Sequence, residues 1–299
     1  MSEIRDLKRR INSVKSTQQI TKAMKLISAA KLQKLQAAVL ASRTYANKLD
    51  QVLGHIMSTT RGYSHPLMKT REVKSAGIIL FTSDHGLAGG YNIEVINKAI
   101  KESELMAPVR VSFICIGKNG RAYLQRQGKT IWGSIEGIRD IPQFSEAQHI
   151  AQMAVRLFEE GTFDAIYLAF QEFVSFTSQK PVIKKILPIS CEVQNIGRVK
   201  GLHNDEYIYE PDPETVLKIL VPKYLENMIF EVLREAKASE FGARMVAMTS
   251  ATDNARKIID NLTLQFNRAR QSAVTTEIAE IIGGADALLG SGSTGSNKM

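Results

Sequence analysis

Between Glu3 and Met57 the chain holds no proline and only one glycine, Gly54. An uninterrupted run of that length in helix-forming residues restricts the fold more than anything else in the sequence. Ile4, Leu7, Ile11 and Val14 fall at the alternating three- and four-residue steps of a coiled-coil seam. The phase slips after Val14. It returns at Ile20, Met24 and Ile27, and later at Leu35, Ala38, Ser42, Tyr45, Leu49, Val52 and Ile56. At 1.5 Å per residue such a helix is roughly 80 Å long, more than the width of any domain this chain could build. It therefore needs an equally long partner.

The C-terminal third supplies one. Asp212-Pro213-Glu214 combines a capping carboxylate, a proline at the first helical position and an acid facing the positive helix end. Apolar periodicity runs from Leu225 and Met228 through Ile258, Leu262 and Phe266 to Ile278, Ile281 and Ile282. Pro222 predicts a kink or restart near the beginning, and Gly283 and Gly284 a loosened end. Ala, Ser and Gly crowd residues 236–255, and Ala29, Ala30, Ala37, Ala38 and Ala41 lie on the first helix. Small side chains let two backbones approach closely, so the two helices are expected to pair antiparallel.

Short apolar runs lie between them: Ala76–Phe81, Val109–Gly117 and Phe163–Phe170, with helical periodicity near 92–105, 119–127 and 145–160. Ser145 and Gln148 read as a capping box. Alternating strands and helices imply a mostly parallel sheet with helices on its faces. Val182–Val193, broken by Pro188, reads as an edge strand or extended loop. The expected fold is therefore α/β: a long antiparallel two-helix coiled coil formed by the terminal helices, plus a Rossmann-like middle domain. The divisions are 1–57, 58–212, 213–289 and a flexible tail, 290–299.

Charge is concentrated. Of the net +9, residues 1–57 contribute 11 Lys/Arg against 3 Asp/Glu, while the rest is nearly balanced. One element, not the whole surface, is made for an anionic partner. Cys115 and Cys191 are separated and set among apolar residues, as buried thiols of a reducing compartment are. The charged N-terminus reads as neither secretory nor transit peptide, and the expected compartment is the cytosol.

The second helix is longer than the first. If both leave the middle domain at one level, the second outruns the first by roughly 19 residues, about 28 Å. Val274, Ile278, Ile281, Ile282 and Leu288 then lack a partner within the chain. An apolar stripe on a lone helix calls for enclosure by other molecules.

That tip reads Asn267-Arg268-Ala269-Arg270-Gln271-Ser272-Ala273-Val274-Thr275-Thr276-Glu277-Ile278 and onward to Ala285. It closely resembles the C-terminal signature of the gamma subunit of F-type ATP synthases. Gln19-Ile20-Thr21-Lys22-Ala23-Met24 resembles that family's first-helix motif, and Ala243-Arg244-Met245-Val246-Ala247-Met248 with Ala251–Ala255 its second-helix motif. Tyr209-Glu210-Pro211-Asp212-Pro213 also matches, and the likeness spans nearly the whole chain. His85, Ala88 and Gly283 depart from it, standing where the family commonly has arginine, cysteine and serine.

The resemblance implies a central rotor shaft within a hexamer of alternating alpha and beta subunits, standing on a membrane-embedded c-subunit ring beside an epsilon subunit. Rotation driven by ions crossing the ring would then cycle the beta subunits through ATP synthesis, and hydrolysis would run the cycle backwards. It implies a peripheral place on the cytoplasmic side of a bacterial cell membrane, held through the ring, with ATP sites on partner subunits and no cofactor of its own. By position, Arg268, Arg270, Gln271, Thr275 and Glu277 would meet the upper collar of the hexamer. Arg270 and Gln271 are the foremost candidates for polar catches on beta. Lys8, Arg9, Lys15, Lys22 and Lys25 would form an electrostatic track, and Met24 a sliding apolar contact. Tyr207, Tyr209, Glu210 and Asp212 would belong to the foot near the ring.

Thr82–Asn92, a glycine-rich loop between strand and helix, invites a different reading, as a phosphate cradle. Yet it fits neither GxGxxG nor GxxxxGK[ST], and no lysine is near enough to hold a phosphate. The same glycines allow a close backbone approach to a neighbour. His85 is accordingly placed on a contact loop where foot, shaft and beta subunit meet. An enzyme with a Rossmann-like core would need a phosphate motif and a catalytic cluster, and neither is visible; the five histidines also lack ligand spacing. A basic coiled-coil binder of nucleic acid or anionic membrane would leave the apolar tip unexplained, so no nucleic-acid partner is expected.

Overall fold

The computed structural model describes residues 2–59, 65–189, 210 and 212–291. Side chains of 2, 39–47, 50, 51, 53–59, 213 and 286–291 are outside that description. Tyr207, Tyr209 and Cys191 lie outside the described residues altogether. The elements are α1 (Ser2–Thr59), β1 (Ser75–Phe81), α2 (Tyr91–Leu105), β2 (Arg110–Ile116), α3 (Lys118–Arg126), β3 (Ile131–Ile135), α4 (Phe144–Glu159), β4 (Ala165–Ser175), β5 (Ser178–Leu187) and α5 (Pro213–Ser291). Residues 1–24 with 248–299 make one unit, and residues 25–247 a second.

In the first unit the start of α1 lies beside the second half of α5, antiparallel. Thr252 Oγ1 donates to Thr21 Oγ1 at 2.8 Å. Further along, Glu3, Ile4 and Leu7 share a groove with residues from Gln265 to Glu280. Leu7, Ile11, Met248 and Ala255 are buried in this pairing.

The seam departs from the expected register. Burial along α1 follows Leu7, Ile11, Val14, Gln18, Thr21, Lys25, Ser28, Leu32 and Leu35, an unbroken alternation of four and three. There is no slip after Val14. Ile20 and Ile27, expected on the seam, are 60% and 54% exposed. The reason is steric: where α5 is rich in small residues the helices meet through small and polar side chains, and the Thr21 hydroxyl is satisfied by Gln18 O and Thr252.

The second unit is built on a five-stranded sheet of order β3-β2-β1-β4-β5. β1 to β4 are parallel, and β5 is an antiparallel edge. Successive residues of β1 serve opposite faces. Ile78 and Leu80 pack with Val95, Ile96, Ala99 and Leu124 of α2 and α3. Ile79 and Phe81 pack with α4 and the Leu217–Ala236 portion of α5. Both faces are covered, which explains why the strands read as continuous apolar runs. Leu32 and Leu35 of α1 join Ala238 and Phe241 of α5 in a third cluster, with Phe173 beside them.

Several expectations need correction. α4 starts at Phe144, not after Ser145; the Gln143 amide donates to Glu146 Oε2 at 2.7 Å, so the carboxylate three residues on satisfies the helix entry. α5 continues through Pro222 without a restart and through Gly283 and Gly284 to Ser291. β3, unread in the sequence, carries Gly133 and Ser134 in place of a strong strand signal. Asp212 caps α5 as expected, accepting from Thr215 N at 2.9 Å and Thr215 Oγ1 at 2.7 Å, bonds that hold its carboxyl below the usual range.

Candidate functional site

In a doubly wound sheet the ligand crevice lies at the carboxyl ends of the strands where the order reverses. Here that is between β1 and β4, and α5 already fills it. Ser239 Oγ donates to Gln171 O at 2.9 Å, and Tyr91 OH to Ala236 O at 3.0 Å. Burial, reinforced by the nearby Glu240 carboxylate, pushes the Tyr91 hydroxyl well above its ordinary pKa, so it serves as a donor. At the N-terminus of α2, a Cβ on Gly90 would stand 2.7 Å from Glu94 Oε1. The chain's own carboxylate therefore lies beside the entry of this helix. The crevice beside the Thr82–Asn92 loop is thus taken up by the chain's own helix.

Instead the loop is fastened to its surroundings. Ser83 N donates to Asn92 Oδ1, and Ser83 O accepts from Asn119 Nδ2. Asp84 bridges two further loops, accepting from Lys118 N and Gly137 N at 2.9 and 3.0 Å. On the other side Arg244 Nη2 donates to His85 O at 3.2 Å and Gly86 O at 3.3 Å. His85 and Leu87 remain exposed. Leu87 has φ 63°, the left-handed region, which costs a residue with a Cβ roughly 1–2 kcal/mol. An exposed leucine in a strained conformation fits a loop shaped for contact.

Beneath the loop lies a buried charged cluster. Glu240 accepts from Lys237 Nζ at 3.0 Å and pairs with Arg244 Nη2 at 2.9 Å, all three side chains under 10% exposed. Phe241 is flanked by Lys31 Nζ at 5.3 Å and the Arg244 guanidinium at 5.4 Å. Lys31 also binds Asp140. Burial would raise the Asp140 carboxyl, but the Lys31 hydrogen bond and the positive charges of Lys31, Lys237 and Arg244 hold it below its usual range. Charges at three- and four-residue spacing on a helix read in sequence as a solvated face, so nothing short of the tertiary fold reveals this cluster.

The tip residues form a second candidate surface. Arg268 and Arg270 line an open groove of ≈ 950 Å³ with Glu3, Ile4, Leu7, Val274 and Glu277. Arg268, Arg270, Gln271, Thr275 and Glu277 are exposed. Thr275 Oγ1 donates to Gln271 O at 2.9 Å, within the helix. Val274, Ile278, Ile281 and Ile282 are 48% to 68% exposed, so the apolar stripe is bare as expected. On α1, Lys8, Arg9, Lys15 and Lys22 are exposed and Met24 and Lys25 half-buried; Arg9 is engaged with Asp6 at 3.0 Å. Glu210 is exposed. Among the described residues no cluster of three or more His, Cys, Asp or Glu could hold a metal ion, and no helix is long and apolar enough to cross a membrane.

The protein-family profile described as ATP synthase matches residues 3–288. The ATP synthase gamma chain of Heliobacterium modesticaldum is 46% identical over 291 residues, covering 96% of this chain and all of that one. That of Moorella thermoacetica is 46% identical over the same length and coverage. Among solved structures, a chain of the Euglena gracilis mitochondrial ATP synthase (OSCP/F1/c-ring) superposes with a TM-score of 0.70. It is 17% identical and covers 100% of this chain and 98% of its own. A chain from the Tetrahymena thermophila mitochondrial central stalk and c-ring gives 0.58 at 22% identity, over 78% of this chain and 99% of that one. At such identities the structural likeness establishes the fold.

Proposed function

The chain belongs to the ATP synthase gamma chain family, and we propose that it works as the rotor shaft of such a complex through the surfaces described above. The observation that carries this reading is the bare apolar stripe Val274–Ile282 on a helix that continues to Ser291. Residues 1–57 and 213–289 are the shaft, 58–212 the foot and 290–299 a tail. The tip enters a hexamer of alpha and beta subunits, and the foot stands on a c-subunit ring with epsilon beside it. The protein is thus peripheral to the membrane on its cytoplasmic side, attached through the ring. ATP sites belong to partner subunits; the crevice filled by α5 supports a non-catalytic role for this chain.

Mechanically, a partner changes state only if one state binds the shaft better. Moving a two-state equilibrium from 1:99 to 99:1 takes about 5.5 kcal/mol of differential binding. An exposed ion pair supplies at most about 1 kcal/mol. Two unit charges 4 Å apart at an effective dielectric of ~20 supply about 4 kcal/mol. Charged contacts must therefore be enclosed, which is what a hexamer around the shaft provides. Arg270 and Gln271, with Arg268, Thr275 and Glu277 around them, act as catches at the tip. Lys8, Arg9, Lys15, Lys22 and Lys25 form a track for acidic loops, Met24 slides against an apolar patch, and the His85 loop meets beta at the base. Tyr207, Tyr209 and Glu210 face the ring. Affinity purification of the tagged chain from native membranes tests the assignment. Recovery with alpha and beta subunits supports it; recovery of a lone chain that hydrolyses ATP refutes it.

A further inference from the structure

The buried cluster on α5 has an arrangement that packing alone does not require. Two successive carbonyls, His85 O and Gly86 O, turn inward to one guanidinium nitrogen of Arg244. The next residue, Leu87, takes the left-handed conformation, and its side chain points out, 63% exposed. Ala88 returns to burial at 3%, and at Gly89 a Cβ would stand 3.8 Å from Ala247 Cβ, so the backbone here lies against α5. Leu87 is thus the crest of a loop drawn down on either side of it.

Arg244 reaches those carbonyls from a fixed position. Glu240, 2% exposed at its side chain, holds Arg244 at 2.9 Å and Lys237 at 3.0 Å. The Phe241 ring beside Arg244 limits how far the guanidinium can swing. Asp140, paired with Lys31, adds a second negative charge nearby. Two buried cations thus depend on Glu240 for their charge partner, and one of them secures the loop. Removing a carboxylate from such a cluster leaves uncompensated buried charge and frees the cations to seek others.

We propose that Glu240 is a positioning residue: by fixing Arg244 against the His85 and Gly86 carbonyls it holds Leu87 out as a rigid, exposed knob for the partner subunit. That the loop meets a partner rests on the function proposed above; the locking itself does not. A rigid knob matters because a contact that yields under load transmits no bias between partner states.

The test uses the full chain with Cys191 replaced by serine and a nitroxide on a cysteine at position 87, free and assembled with the hexamer and ring. E240Q keeps an acceptor oxygen but removes the charge. K237M/E240Q removes one charge of each sign, so it keeps the charge balance while leaving Arg244 unanchored, should E240Q alone fold poorly. In both, the nitroxide should tumble about threefold faster, into the fast loop regime, while a label at position 101 on α2 stays unchanged. Ions translocated per ATP should fall at least about twofold in unlabelled E240Q complexes. A label at 87 as immobile in both variants as in the parent overturns the locking role of Glu240. A mobilised label with an unchanged ion-to-ATP ratio overturns instead the reading of this loop as a working contact.

Discussion

Leu35→Ala and Ile27→Ala together probe how α1 pairs with α5. Both residues sit on apparently equivalent apolar positions in the sequence, yet Leu35 is fully buried and Ile27 is 54% exposed. Leu35 packs with Leu32, Ala238 and Phe241, with Phe173 beside them. Two of these neighbours are held on helix α5, which cannot collapse into the space left by a deleted isobutyl group. Leucine-to-alanine changes at such sites cost 2–5 kcal/mol, and a poorly collapsing site points to about 3 kcal/mol. At roughly 2–4 °C per kcal/mol for a unit of this size, the unfolding midpoint of the purified chain should drop by about 6–12 °C. Ile27→Ala should change stability by less than about 0.5 kcal/mol, near the noise of a calorimetric scan. Equal losses for the two variants would refute the register in which Thr21 and Ser28, not Ile20 and Ile27, form the seam.

Other outcomes follow from particular side chains. Burial raises the Glu235 carboxyl above its usual range even though it accepts from Phe173 N at 3.2 Å. Its own contribution to stability should therefore be greatest below the unfolded carboxyl pKa and decline as pH rises through the raised folded value. Glu235→Gln should abolish that decline and be the more stable protein at pH 7, as judged by denaturant titration at pH 4, 5.5 and 7. The Cys115 thiol is buried and pushed up to about 11, so iodoacetamide at pH 8 should modify its peptide only after denaturant is added, as read by mass spectrometry. Arg270→Ala with Gln271→Ala should weaken the coupling of hydrolysis to ion transport in the assembled complex while leaving the circular dichroism of the free chain unchanged.

The long helices were legible because they depend on what the sequence lacks: no proline interrupts Glu3–Met57, and Asp212-Pro213 marks an unambiguous start. Pro222 and Gly283-Gly284 neither restart nor end the helix. Each weakens a helix locally, but α5 continues through all three. The seam was misread for a similar reason: following hydrophobicity selects Ile20 and Ile27, whereas close approach of two backbones selects Thr21 and Ser28. The sheet core was legible through its apolar runs; β3 was not, because Gly133 and Ser134 dilute a five-residue signal. Of the candidate surfaces, the tip was readable as an apolar stripe beside arginines. The Lys237–Glu240–Arg244 cluster was not, because only the convergence of α5 with the Thr82–Asn92 loop turns a charged helix face inward.

The most direct test of the account is rotation itself. With Cys191 replaced by serine and Cys115 shielded by burial, a cysteine at exposed Lys101 can carry a bead on the foot of a chain assembled with an immobilised alpha–beta hexamer. Supplying ATP should turn the bead in one direction, and a covalent link between position 271 and the surrounding collar should stop both the bead and ATP turnover. Sustained hydrolysis with a stationary bead, or undiminished hydrolysis after the link is made, would contradict a shaft that drives its partners by turning within them.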